Sequence, residues 1–273
     1  MLFRSRHARV QRLRRLIRQR TVRRRDHAFA AEGPKLLAAA LDAGAPIEAV
    51  YFAPEARTTP GAAEVLERAR EAGVRVYGLA EGVIERVSDA TTPQPLIAVV
   101  ATVDVELGAV VDAPLLFVLV DVRDPGNLGA IVRVAAGSGA GGVVCCEGTA
   151  DLYNPKTVRA SAGALFSVPV VADVPPAVAL GQLAAAGYRR VGAAARGGAD
   201  YSTVDLGPKV ALVLGNEAQG LGPELGPALD AVVTIPMAAG TESLNVATAA
   251  AVLGFALARR LGLAVGGPYD ERT

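Results

Sequence analysis

Apolar residues in this chain of 273 residues gather in short continuous blocks, parted by polar links broken with glycine or proline. Blocks at 47–52, 74–77, 96–103, 115–120, 142–146, 190–195, 210–214 and 232–235 have the length of strands. Most are apolar throughout instead of alternating, the pattern of strands covered on both faces. Between them, apolar positions recur at helical spacing over 10–17, 29–43, 61–72, 81–87, 128–136, 174–186 and from 243 to about 258. The helix over 29–43 carries a start signal at Glu32, Gly33 and Pro34, and Gly44 ends it. Strands alternating with helices predict an α/β protein with a mostly parallel sheet. Periodicity lapses over 104–114. That places a small α/β unit at 28–104 and a larger one at 114–265, with residues 1–27 ahead of both.

Three strand exits carry the polar chemistry. The block at 210–214 delivers Gly215, Asn216, Glu217, Ala218, Gln219 and Gly220. The block at 232–235 delivers a second polar loop, 236–242, before a long apolar helix opens at Ser243, Leu244 and Asn245. The block at 115–120 delivers DVRDPGNLG and then a helix. Polar groups placed after buried strands mark the ligand edge of an α/β sheet. Asn127 suits a helix cap in part. Arg133 lies two turns into that helix among Ile131, Val132 and Val134, and calls for a carboxylate or a substrate as partner. Glu217 suits a ligand that offers donors or positive charge, or else it caps nearby amides. Ser243 and Asn245 are ordinary N-cap residues and serve equally to hold an adenine or ribose edge. Lys156 and Arg159, at helical spacing in YNPKTVRASAG, are either surface charges at a helix end or phosphate contacts.

Charge and composition narrow the chemistry. Residues 1–27 hold eleven arginines against the single Asp26, so a net charge of +1 conceals a basic start and an acidic remainder. Val10, Leu13, Leu16 and Ile17 form a helical stripe in that segment with arginine around it. Such an arginine surface fits phosphate, with RNA or DNA as the favoured partner over a solvated helix or a membrane surface. Both histidines, His7 and His27, also lie there, which excludes a Ser-His-Asp triad in the body of the chain and argues against a histidine-ligated metal. The two cysteines, Cys145 and Cys146, are neighbours on a strand and point to opposite faces, so neither a disulfide framework nor a metal site follows. With no membrane-length apolar run and no signal peptide, a reducing, cytoplasmic setting is expected. GSGAGG at 137–142 follows a helix and precedes a strand, the reverse of a dinucleotide loop. The loop at 215–220 lacks the Lys-Ser/Thr of a P-loop. A nucleotide-binding Rossmann enzyme is therefore disfavoured.

Three stretches taken in order, NLGAIVRVAAGSGA, LVLGNEAQGLGPEL and IPMAAGTESLNVATAAAV, resemble the signature motifs of the SpoU (TrmH-like) family of RNA ribose 2′-O-methyltransferases in the SPOUT superfamily. The resemblance runs from Leu115 to about Leu261. Residues 28–104 resemble, more weakly, the small substrate-binding domain that many members carry. What this implies is a SPOUT-type parallel sheet closed by a deep trefoil knot, with S-adenosylmethionine as cofactor. By motif, Gly215, Asn216, Glu217, Ile235, Leu244 and Asn245 would hold the cofactor. Arg133, Asn127, Glu217, Ser243 and Asn245 would surround the reacting centre. The resemblance also implies a homodimer in which Arg133 reaches the partner's cofactor pocket. Ribosomal RNA is the favoured substrate over transfer RNA. The rival reading is a knotted RNA-binding protein without activity.

Overall fold

The computed structural model describes residues 2–238 and 243–263. In chain order, the first stretch holds α1 (Ala8–Arg18), α2 (Arg20–Asp26), β1 (Ala28–Glu32), α3 (Pro34–Asp42), β2 (Ile47–Phe52), α4 (Ala62–Glu71), β3 (Arg75–Gly78), α5 (Ile84–Val87) and β4 (Leu96–Ala101). Then come β5 (Leu115–Leu119), α6 (Pro125–Gly137), β6 (Gly142–Cys146), α7 (Pro155–Ala160), β7 (Val170–Val174) and α8 (Pro176–Ala185). The remainder is β8 (Arg189–Ala193), β9 (Ala199–Asp200), β10 (Val210–Leu214), β11 (Ala231–Thr234) and α9 (Val246–Arg260). Two compact units result: Met1–Val103 with Asp151–Ser167, and Asp104–Ala150 with Val168–Thr273.

In the first unit a four-stranded sheet has the order β1-β4-β2-β3, with β1 and β2 antiparallel to β4. The arginine-rich start belongs to this fold and is not an extension. Val10, Leu13, Leu16 and Ile17 of α1 lie in one buried cluster with Ala28, Ala30, Ala49, Ile97 and Val99 of the sheet. The apolar stripe, too thin to suit a membrane, packs on one face of the small sheet, against alternate residues of β1, β2 and β4. The unit also takes in residues 151–167, which the sequence pattern assigns to the second. Arg23 shows why they belong together. It is only 4% exposed, and its guanidinium donates to the carbonyls of Leu16 and Ile17 at 2.7 and 3.0 Å and to Asp151 at 2.9 Å. One buried arginine thus caps the end of α1, and a carboxylate neutralises it.

The helix expected over 29–43 is a strand followed by a helix. Residues 28–32 pair with β4, Ala30 opposite Val99, and all five are buried. Gly33, with φ of 109°, turns the chain, and Pro34 begins α3 at a position where its missing N–H costs nothing. Strand β7, for which the sequence pattern gives no element, pairs with β6 at the sheet edge. Pro169 before it and the left-handed Asp173 within it break the apolar run that would have marked it.

The second unit holds a seven-stranded sheet in the order β7-β6-β5-β10-β8-β11-β9, parallel in every pairing. The five residues of β5 and the five of β10 are all buried, as their continuous apolar composition requires. Leu214 stands beside Leu119, so these two central strands end at the same level. Helix α9 packs against α6 and reaches β10. Gly254 permits that approach, because a Cβ there would come within 2.4 Å of the Phe117 ring on β5. On the outer side of the sheet, Asp230 takes a two-pronged contact from Arg190, 2.8 Å at each prong. That pairing holds its carboxyl down to about 2 and ties the start of β11 to β8. Part of the second polar loop, 239–242, and the end of the larger expected unit, 264–265, lie outside the described residues.

If residues 8–18 are core, Leu16→Ala destabilises the protein by about 2–5 kcal/mol, as for other buried leucines. Denaturant unfolding followed by circular dichroism measures this. A loss below about 0.5 kcal/mol would return the segment to the surface.

Candidate functional site

Because the sheet is parallel, the C-terminal ends of β5, β10 and β11 all face one edge, where three polar loops emerge. After β10 the loop folds tightly on itself. Asn216 N–H donates to the Gly220 carbonyl at 3.0 Å and Gly220 N–H to the Asn216 carbonyl at 2.8 Å. The Asn216 side-chain oxygen accepts from the N–H groups of Ala218 and Gln219 at 2.9 and 3.1 Å. This closure explains Gly215: a Cβ there would lie 2.4 Å from the Gly220 carbonyl oxygen.

The loop is one wall of a cavity of about 480 Å³. Gly215, Asn216, Glu217, Ile235, Ser243 and Leu244 all line it, as do Met237 and Leu253. Ala193 at the end of β8 and the two residues after it, Ala194 and Ala195, line it too. They carry no polar side chain, so nothing in their sequence distinguished them from the strand they extend. The size falls in the range of small-molecule sites, about 300–1,000 Å³. A glycine-rich, largely apolar lining with backbone amides and few polar side chains suits a ligand with a flat apolar part and a polar end.

Asn127 and Asn245 stand outside the lining but hold it together. The Asn245 side-chain oxygen accepts from Ala247 N–H at 2.8 Å and so caps α9. Its amide nitrogen donates to the Asn127 side-chain oxygen at 3.0 Å, and the Asn127 amide nitrogen donates to Glu217 Oε1 at 2.9 Å. The direction of this relay is fixed at both ends. A backbone N–H can only donate and a carboxylate can only accept, so each amide has a single workable orientation. Asn127 is not the helix cap: Asp124 fills that place, accepting from Asn127 N–H at 2.9 Å, and leaves the Asn127 side chain free for the relay. The chain after β5, the loop after β10 and the start of the last helix thereby converge on one carboxylate. Glu217 is exposed, and its Oε2 takes no hydrogen bond from a described residue.

Arg133 is placed differently from its sequence reading. Ile131 and Val132 are buried beneath α6, whereas Arg133 is on the exposed face and makes no hydrogen bond or ion pair with a described residue. Solvation, not an internal carboxylate, satisfies it. It does not line the cavity. Arg159 is engaged in the first unit, 2.8 Å from Asp89 and 3.6 Å from Glu32, which uses the charge that a phosphate contact would need.

One supporting residue escaped the sequence reading. Asp121, the first polar residue past β5, sits in the left-handed region with φ of 57°. Its side chain and its carbonyl each accept from the Asn216 amide at 3.1 Å. The available signal was an acid at the exit of an apolar strand. Burial pushes both cysteine thiols up, Cys146 to about 12, which leaves them inert. Among the described residues, no group of three or more His, Cys, Asp or Glu side chains is placed to hold a metal ion.

The chain resembles known proteins over most of its length. The model of the SpoU rRNA Methylase family matches residues 114–255, and that of the MRM3-like substrate binding domain matches residues 7–98. The chain is 34% identical over 219 residues to the 23S rRNA (guanosine(2553)-2'-O)-methyltransferase RlmP of Bacillus subtilis, covering 77% of this chain and 87% of that one. It is 30% identical to the 23S rRNA (uridine(2479)-2'-O)-methyltransferase of Streptomyces viridochromogenes, over 94% of this chain and 91% of the other. Among solved structures, the AdoMet-bound rRNA methyltransferase of Sinorhizobium meliloti superposes with a TM-score of 0.81 at 31% identity, covering 93% of this chain and 95% of that one. The SpoU methyltransferase AviRb of Streptomyces viridochromogenes, in complex with AdoMet, gives 0.81 at 30% identity over 93% and 98%.

The relay makes a direct energetic prediction. In a double-mutant cycle on unfolding free energy, Asn127→Ala and Glu217→Ala couple by about 1 kcal/mol. Additive effects would mean that the two side chains do not support one another.

Proposed function

The chain belongs to the SpoU rRNA methylase family, and from that membership we propose that it transfers a methyl group from S-adenosylmethionine to a ribose 2′-hydroxyl of ribosomal RNA. The observation that carries the reading is the relay through Asn245 and Asn127 to Glu217 at a cavity of cofactor size. The named relatives that act on 23S rRNA favour ribosomal over transfer RNA. The intact relay argues against a knotted RNA-binding protein that has lost its activity.

S-adenosylmethionine supplies a methyl group on a positively charged sulfur, and the chain must do the rest. Gly215 and the closed loop behind it offer backbone groups at close range, with Ile235 and Leu244 as apolar walls. Asn216 fixes the shape of that loop, and Glu217 offers an unengaged carboxylate oxygen to a donor or a positive charge. At the start of α9, Asn245 belongs to the relay and Ser243 places a hydroxyl on the cavity. Holding the ribose oxygen in line is worth far more than any single contact. Arg133 fixes a substrate phosphate and lowers the hydroxyl's pKa. A guanidinium stays protonated and is not the base.

In this reading the protein is a homodimer, and Arg133 serves the partner's cavity. Two features of the chain support it: Arg133 does not line its own cavity, and Phe255 is 41% exposed on α9, which packs beside α6. The deep trefoil knot of the family belongs to the same reading, as does a cytoplasmic setting in which the buried, unpaired cysteines stay reduced. The first unit would dock RNA. Arg9, Arg12 and Arg23 are occupied within the fold, but Arg14, Arg15 and Arg18 are exposed on α1 without a described partner, and such arginines suit phosphate.

The test is methyl transfer from labelled S-adenosylmethionine to ribosomal RNA, with the product nucleoside identified as a 2′-O-methyl ribose by mass spectrometry. Arg133→Ala abolishes transfer, and so does Gly215→Val, which blocks the loop. Mixed in equal amounts, the two inactive variants regain roughly a quarter of wild-type activity, because half the dimers are mixed and each has one intact site. Full activity in Arg133→Ala removes it from the reaction. No recovery despite proven subunit exchange contradicts its action across the dimer.

A further inference from the structure

A second feature of the first unit is untouched by this chemistry. Residues before α1 run beside β3: Phe3 N–H donates to the Gly78 carbonyl at 2.8 Å and Ala80 N–H to the Phe3 carbonyl at 2.9 Å. The short arm is thus held like an added strand, and it carries a stack of rings. His7 lies flat on Phe3, with centroids 3.8 Å apart and planes 9° from parallel. Phe3 lies on Tyr77 at 5.0 Å, and Tyr77 leans on Tyr51 at 5.6 Å. Arg9 closes the side, its guanidinium 4.8 Å over the Tyr77 ring and 2.7 Å from its hydroxyl.

The stack runs from the core outward. Tyr51 is buried, Tyr77 and Phe3 are half-buried, and His7 is the outermost member and is also half-buried. His7 is fixed from beneath. Its Nδ1 accepts from Arg9 N–H at 3.3 Å as the cap of α1, and its backbone N–H donates to the Arg4 carbonyl at 2.9 Å. Its ring has an aromatic partner on one face alone among the described residues. Arg4 and Arg6, in the turn that leads to it, are exposed and have no described partner. A pinned, half-exposed ring with no aromatic partner on its second face among the described residues, beside two guanidiniums without a described partner, has the form of a nucleic-acid stacking platform: a base on the ring and its flanking phosphates on the arginines.

We infer that His7, backed by Phe3 and Tyr77, is a stacking site for one unpaired base of the RNA substrate, with Arg4 and Arg6 holding the adjacent phosphates. This rests on RNA as the substrate. The site takes single strands and not duplex, because a paired base has no open face to give. It reads no sequence, since every base offers a π-face.

Two substitutions separate the ring from the cap. His7→Asn keeps a good helix-capping acceptor and removes the ring. His7→Phe keeps a ring on Phe3 and removes the acceptor. The probe is a ten-nucleotide single-stranded RNA with one central 2-aminopurine, mixed with the full chain at low salt, beside a duplex of the same sequence. Wild type quenches the 2-aminopurine as it stacks. His7→Asn loses the quenching and binds the single strand about tenfold more weakly, His7→Phe retains both, and duplex binding is the same in all three. Absence of quenching in wild type, or equal single-strand affinity in His7→Asn, overturns the inference. Methyl transfer to ribosomal RNA, measured on the same preparations, judges the catalytic reading separately.

Discussion

The second unit is organised around one constraint: a carboxylate at the edge of a buried parallel sheet has to be held by groups that can only give it hydrogen bonds one way. Glu217 is that carboxylate. Asn127 and Asn245 pass donors toward it from the first turn of α9. Neither asparagine can rotate its amide without setting oxygen against oxygen or nitrogen against nitrogen. The relay ties together the loops after β5 and β10 and the start of the final helix, three segments far apart in sequence.

The fold supplies the stage for it. Parallel strands place all their C-terminal ends on one edge, and the matched ends of β5 and β10 bring two loops out side by side. Glycine then does what no other residue could in two places. Gly215 lets the loop close on Gly220, and Gly254 lets the last helix lie against Phe117. Asp121 accepts a left-handed backbone and in return anchors Asn216. The result is a cavity whose walls are backbone and aliphatic carbon, with its few polar side chains gathered at one end.

Much of this was legible in the sequence. Blocks such as 142–146 and 210–214 coincide with strands because a strand buried on both faces leaves no room for polar residues. The polar loops were legible for the same reason: polarity stands out after such blocks. What stayed hidden depended on contacts between distant residues. Residues 28–32 have helical spacing but pair with β4, and pairing overrides local preference. The apolar stripe of α1 is visible in the sequence, but the arginines around it point to a phosphate partner and give no sign that it packs into the core of the first unit. The apolar neighbours of Arg133 in sequence imply a buried position, whereas the helix turns it to solvent. The relay itself could not be read, since asparagines at 127 and 245 are each ordinary near a helix start and acquire meaning only together.

Titration calorimetry of S-adenosylmethionine into the purified protein, wild type beside Asn127→Ala, weighs the relay most directly. Saturable binding at one cofactor per chain is expected for wild type, and affinity about tenfold weaker for Asn127→Ala, the loss that follows from releasing two hydrogen bonds that brace the cavity walls. No binding by wild type, or equal affinity in the two proteins, would contradict it.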